Sequence, residues 1–221
     1  MIHLLSYPLC PFSRAIRIAL AEKYLDYDVS DIRFWEREYE FLTINPSGCL
    51  PVLFDEKLKV CEAYPIVEYL DEAYPKISLV GGLAEEKAKV RRLINWFCNK
   101  FFNEVMQYLY IEKVIKRVSQ KGCPDTNLIR AGKKNLEYHM QYLEYVLTQH
   151  NWLAGSYFSW ADCFAASQLS VLDYMGDVKW DSYPETKSWY SKIKSRPSFG
   201  TLLQDTLPGM MPSIHYANLD F

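Results

Sequence analysis

At 221 residues the chain is long enough for one large or two small domains around a sizeable core. Hydrophobic residues make up 49% and the formal net charge is −2, which excludes a disordered chain and removes the basic excess that drives generic phosphate or nucleic-acid binding. Six cysteines at 10, 49, 61, 98, 123 and 163 form no Cys-x-x-Cys pair and no metal-ligand spacing, so reduced cytosolic thiols and no metal are expected.

Taken in order, Met1-Ile2-His3-Leu4-Leu5 carries no basic leader, which predicts a cytoplasmic protein, and residues 2–7 read as a first strand. Pro8-Leu9-Cys10-Pro11 is a loop, Phe12 to Lys23 a helix, and Asp26 to Asp31 a second strand, together a β-α-β unit. Cys10 therefore sits at a helix N-terminus, where unpaired N–H groups and the positive dipole end favour a thiolate and predict a lowered pKa. Ser13, one turn on, and Tyr7 are further hydroxyl donors; the bland reading is a solvent-edge cysteine with no task. A short helix is expected within Phe34–Phe41.

The stretch Asn45–Pro75 is denser in signals. Asn45-Pro46-Ser47-Gly48 is a turn, and Leu50-Pro51-Val52-Leu53-Phe54 is a proline-led strand whose proline lacks a ladder N–H and can mark a cis bond. Leu58-Lys59-Val60-Cys61 completes a hairpin, and Glu62 leads a helix with Ile66, Val67 and Leu70 on one face.

After a linker over residues 76–83, only helices are predicted. Val90, Leu93, Ile94, Phe97, Phe101, Val105 and Leu109 recur at threes and fours from about Ala84 onward, and their aromatic density reads as core packing rather than a binding box. Gly122-Cys123-Pro124-Asp125 breaks that helix, and Leu136, Met140, Leu143 and Leu147 define the next. Basic residues from Lys113 to Lys134 read as a solvated face. Ser159-x-x-Asp162 predicts a capping box, and Pro184 opens a helix that Arg196-Pro197-Ser198-Phe199 ends. Residues 207–221 have no helical period, few charges and many apolar side chains, so a contact tail is expected, or else a strap over the helices. No run approaches the roughly 20 apolar residues of a membrane span.

Asn45, Pro46, Gly48, Leu50, Pro51, Leu53, Glu62, Ile66, Tyr69 and Leu70 together resemble the glutathione transferase pattern Asn-Pro-x-Gly-x-[Val/Leu]-Pro-x-Leu, Glu-Ser, Ile-x-x-Tyr-Leu. The resemblance implies an α/β thioredoxin-like domain at 1–76, an all-helical domain at 84–207 and an extended tail at 208–221. It implies a cis Pro51 that turns the Leu50 backbone toward the cysteinyl part of glutathione, with Glu62 and its follower holding the γ-glutamyl end. That follower is Ala63, where the family has serine. Cys10-Pro11-Phe12 is similar to the omega-like motif, which implies thiol–disulfide exchange through Cys10, with Ser13 beside it. Trp35-Glu36-Arg37, the stretch from Val171 to Val178, Lys194–Phe199 and the ending His215–Phe221 resemble the transferase-like division proteins of alphaproteobacteria, which bind FtsZ. That branch implies a homodimer acting as a protein-binding platform independent of glutathione. The alternative is a glutathione-dependent thiol transferase using Cys10.

Overall fold

The computed structural model describes residues 1–219, so Asp220 and Phe221, at the end of the predicted tail, lie outside the described residues. The N-terminal part is a four-stranded mixed sheet. Strand β1 (Ile2–Ser6) runs into helix α1 (Pro11–Glu22) and returns as β2 (Tyr27–Asp31), parallel to β1 with Ile2 opposite Tyr27. A short helix α2 (Tyr39–Ile44) leads to the hairpin β3 (Val52–Asp55) and β4 (Leu58–Cys61). Strand β3 pairs antiparallel with β1, which gives the order β2-β1-β3-β4. Helix α3 (Ala63–Ala73) buries Ile66, Val67 and Leu70 against this sheet. The arrangement is a thioredoxin-like domain, and the Leu50–Pro51 bond is cis, as the resemblance implies.

Helical structure then runs over residues 84–119 as a single long element, α4. It is regular from Ala84 to Asn95 but widens into π-type turns over Trp96–Met106 and Ile111–Ile115. Wider turns free backbone groups from the i→i−4 ladder, and one such carbonyl, that of Phe97, accepts from Gln168 Nε2 at 2.8 Å. After the break at Gly122, Asp125 caps α5 (Thr126–Gln149) by accepting from the Asn127 N–H at 2.8 Å. Helix α6 (Trp160–Tyr174) is buried along its whole length, as a helix apolar on most sides must be. Helices α7 (Pro184–Lys194) and α8 (Pro197–Leu203) close the bundle, so Pro197 opens a new helix at its first turn rather than only ending the one before.

Two features fix the sheet on the bundle. Helix α1 packs along α6, and Asp71 of α3 pairs with Lys23 Nζ at 2.8 Å while accepting from Trp160 Nε1 at 3.0 Å. Asp71 also accepts from the Leu79 and Val80 N–H groups, so the predicted linker is fastened down, with both side chains buried. The capping box at Ser159 and Asp162 is present; Asp162 Oδ1 additionally accepts from the Leu153 N–H and from Trp189 Nε1. Within the basic run, Lys113 and Lys133 both pair with Asp177, and Lys116 pairs with Glu112.

The tail divides in two. Tyr216 is plugged into the interior, whereas Met211 and Ile214 are 87% exposed. Tyr174 clamps the strap by donating its hydroxyl to the Met210 carbonyl at 2.6 Å, and its own carbonyl accepts from the Ser213 N–H at 2.9 Å.

Candidate functional site

A cavity of about 300 Å³ opens between the sheet end of α1, the Leu50 loop and the wide turns of α4. It brings together Cys10, Leu50 and the adjacent pair Glu62 and Ala63, from three separate stretches of the sequence. Its far wall comes from the helical part, where Phe102 and Tyr110 face Phe12, the Phe12 and Phe102 rings lying 4.8 Å apart. These α4 side chains escape a sequence reading because strict α-periodicity puts the aromatic run in the core. Phe97 and Phe101 are indeed fully buried, but the π-type turns shift the phase and bring Cys98, Phe102 and Ile111 onto the cavity. Cys49, beside the predicted Leu50, also lines it.

Cys10 occupies the N-cap position of α1, its carbonyl accepting from the Arg14 N–H at 3.0 Å. The predicted lowering of its pKa is not what the geometry gives. Only 5% of the residue is exposed, and burial pushes the thiol above its ordinary value. The Ser13 hydroxyl and the N–H groups of Ser13 and Phe12 pull the other way, but they close no cap hydrogen bond to the sulfur, and Cys49 adds a small push upward. Desolvation of the thiolate outweighs the helix terminus. Ser13 itself is fully buried, and its Oγ has no hydrogen-bond partner. Tyr7 lies away from the cavity lining, its ring edge-on to Trp35 at 4.7 Å and its hydroxyl pushed up to about 12 by burial.

Glu62 has a left-handed φ of 74°, held by its N–H donating to the Pro51 carbonyl at 3.1 Å. Its carboxylate accepts from Ser47 Oγ and, at 3.4 Å, from Asn45 Nδ2. Ala63 follows with a methyl group and begins α3. A glutathione γ-glutamyl end would therefore meet a carboxylate already held by its own turn and no hydroxyl at position 63. The set fits the tripeptide poorly: the Leu50 edge and the cis proline suit its cysteinyl part, while Ala63 and the buried Cys10 thiol do not. Among the described residues no three His, Cys, Asp or Glu side chains converge as a metal site, and no helix is long and apolar enough to cross a membrane.

Residues 9–73 match the family model "Glutathione S-transferase, N-terminal domain", and residues 126–205 match "Glutathione S-transferase, C-terminal domain". The chain is 44% identical to the FtsZ-localized protein A of Caulobacter vibrioides, over 97% of this chain and 96% of that protein. Among solved structures, a glutathione S-transferase from Rhodospirillum rubrum F11 superposes with a TM-score of 0.97 at 45% identity, covering 100% of both chains. FzlA from C. crescentus superposes equally well, with a TM-score of 0.97 at 43% identity, covering 100% of this chain and 99% of that one.

Proposed function

We propose a function from the premise that this chain belongs to the glutathione S-transferase family: it is a protein-binding platform of the division apparatus, with FtsZ as its partner and weak or no dependence on glutathione. The likeness to FtsZ-localized protein A over nearly the whole chain supports the partner. The observation that carries the independence from glutathione is the burial of Cys10, only 5% exposed at the cavity, where desolvation raises the thiol pKa instead of lowering it as thiol exchange would need. Ala63 in place of a hydroxyl points the same way.

On this reading the protein works in the cytoplasm as a homodimer, with functional divisions at 1–76, 84–207 and 208–221. The exposed rings of Tyr138 and Tyr145 on α5 suit a subunit interface. The test is paired. Co-sedimentation with FtsZ polymers should succeed without glutathione, and calorimetry with glutathione should give little or no heat. Failure to pellet with polymers would remove the platform reading.

A second reading rests on the cavity that joins Cys10 to Leu50 and Glu62 beside the cis proline. It makes the protein a glutathione-dependent thiol transferase, with Cys10 and Ser13 at the reacting sulfur and Leu50, Pro51, Glu62 and Ala63 as the tripeptide's contacts. Tight glutathione binding in the same calorimetry would favour it.

A further inference from the structure

Arg14 is fully buried on α1, one turn beyond Cys10, and its guanidinium is shared among four parts of the chain. Nη1 donates to the Pro8 carbonyl at 2.9 Å, in the loop that carries Cys10, and to Asp205 Oδ2 at 3.1 Å. Nε donates to Ser170 Oγ of α6 at 2.9 Å. Nη2 donates to the Leu202 carbonyl at 3.1 Å and to the hydroxyl of Tyr216 at 2.5 Å. The Tyr216 hydroxyl in turn donates to the Leu202 carbonyl at 2.7 Å, and its ring stands edge-on to Tyr174 at 5.0 Å.

We propose that the C-terminal strap is a latch on the Cys10 cavity, with Tyr216 as the bolt and Arg14 as the part that transmits its position. The physical reason is that a buried guanidinium must keep its donors satisfied. With Tyr216 in place, every nitrogen of Arg14 has an acceptor and the Pro8 carbonyl is fixed. When the strap lifts, Nη2 loses one acceptor and water gains a path to a charge that had none. The guanidinium then resettles, and the Pro8–Cys10 loop is the lightest of the segments it holds, since the other acceptors sit on helices or at their ends. A partner that grips the strap would thereby open Cys10, and by reciprocity a molecule in the cavity that stiffens the loop would tighten the strap. This inference goes beyond the platform reading and does not depend on which partner binds.

The chain carries its own reference for the test. Cys10 lies under the latch, while Cys163 is fully buried in α6 and reports global opening. Native protein is treated with N-ethylmaleimide, and the labelling rate of each cysteine is read by peptide mass spectrometry for wild type, Tyr216→Phe and a chain ending at residue 215. Loss of a hydrogen bond to a charged group should raise Cys10 labelling about tenfold or more, with Cys163 unchanged. Cys10 labelling that stays at the wild-type rate overturns the latch. So does a rise in Cys10 that Cys163 follows in step, because the strap would then only add overall stability.

Discussion

The Ser47 hydroxyl donates to Glu62 Oε1, so this acidic group of the cavity lining is held by the turn that precedes β3. Ala63, next in the chain, offers only a methyl group. Restoring the hydroxyl with Ala63→Ser should therefore tighten glutathione binding by about tenfold to a hundredfold, the worth of one hydrogen bond to a charged group. Calorimetry on the two proteins checks this. Equal affinities would mean that position 63 does not face the tripeptide.

The state of Cys10 gives a second expectation. Its folded pKa is raised, so the folded chain holds the thiol proton more tightly than the unfolded chain does. The stability this contributes is full below the ordinary thiol pKa and is lost as pH rises through the folded value. Denaturant midpoints of wild type should accordingly fall faster than those of Cys10→Ser as pH rises above the ordinary thiol value of about 8.5. Any reduction of a small mixed disulfide should be slow at neutral pH and absent in Cys10→Ser. A variant that keeps that activity would assign the chemistry to another group.

Asp162 is buried with four donors on its two oxygens: the Leu153 and Ser159 N–H groups, Ser159 Oγ and Trp189 Nε1. Asp162→Ala strands all four in the interior. The expected loss is about 3 kcal/mol or more, which for a chain of this size lowers the melting temperature by roughly 6–12 °C. Trp189→Phe removes one donor but keeps most of the ring, and should cost about a third as much. A melting curve for Asp162→Ala within 2 °C of wild type, on that same scale, would show that water replaces the lost acceptor.

The sheet, its connections and the capping box are legible in sequence because each rests on local chemistry: a proline that cannot join a ladder, a serine three residues before an aspartate, apolar residues at fixed spacing. Cys10, Leu50, Glu62 and Ala63 come together because β3 runs antiparallel to β1, so its entry lies at the sheet end where β1 leads into α1. Two things were hidden. Phe102 and Ile111 reach the cavity only because α4 departs from 3.6 residues per turn, and no pattern of residue types announces where a helix widens. The direction of the Cys10 shift was hidden as well. The helix terminus is visible in sequence, whereas the desolvation that outweighs it depends on walls contributed by residues about ninety to a hundred positions away.

The strap separates support from contact along its own length. Tyr216 and Leu207 are buried and hydrogen-bonded into the body, while Met211 and Ile214 stand in solvent between those anchors. Exposed apolar side chains on a backbone already held in place lose little entropy on docking, which suits a contact element. Replacing both by serine removes the apolar surface and leaves the anchors intact. The double variant should keep its melting temperature within about 2 °C, as surface substitutions do, and should lose co-sedimentation with FtsZ polymers. Deleting residues 217–221 leaves the Tyr216 plug itself in place and asks whether the extreme end matters independently. If the double serine variant pellets with polymers as wild type does, Met211 and Ile214 are not the contact, and the strap's role is confined to holding the fold.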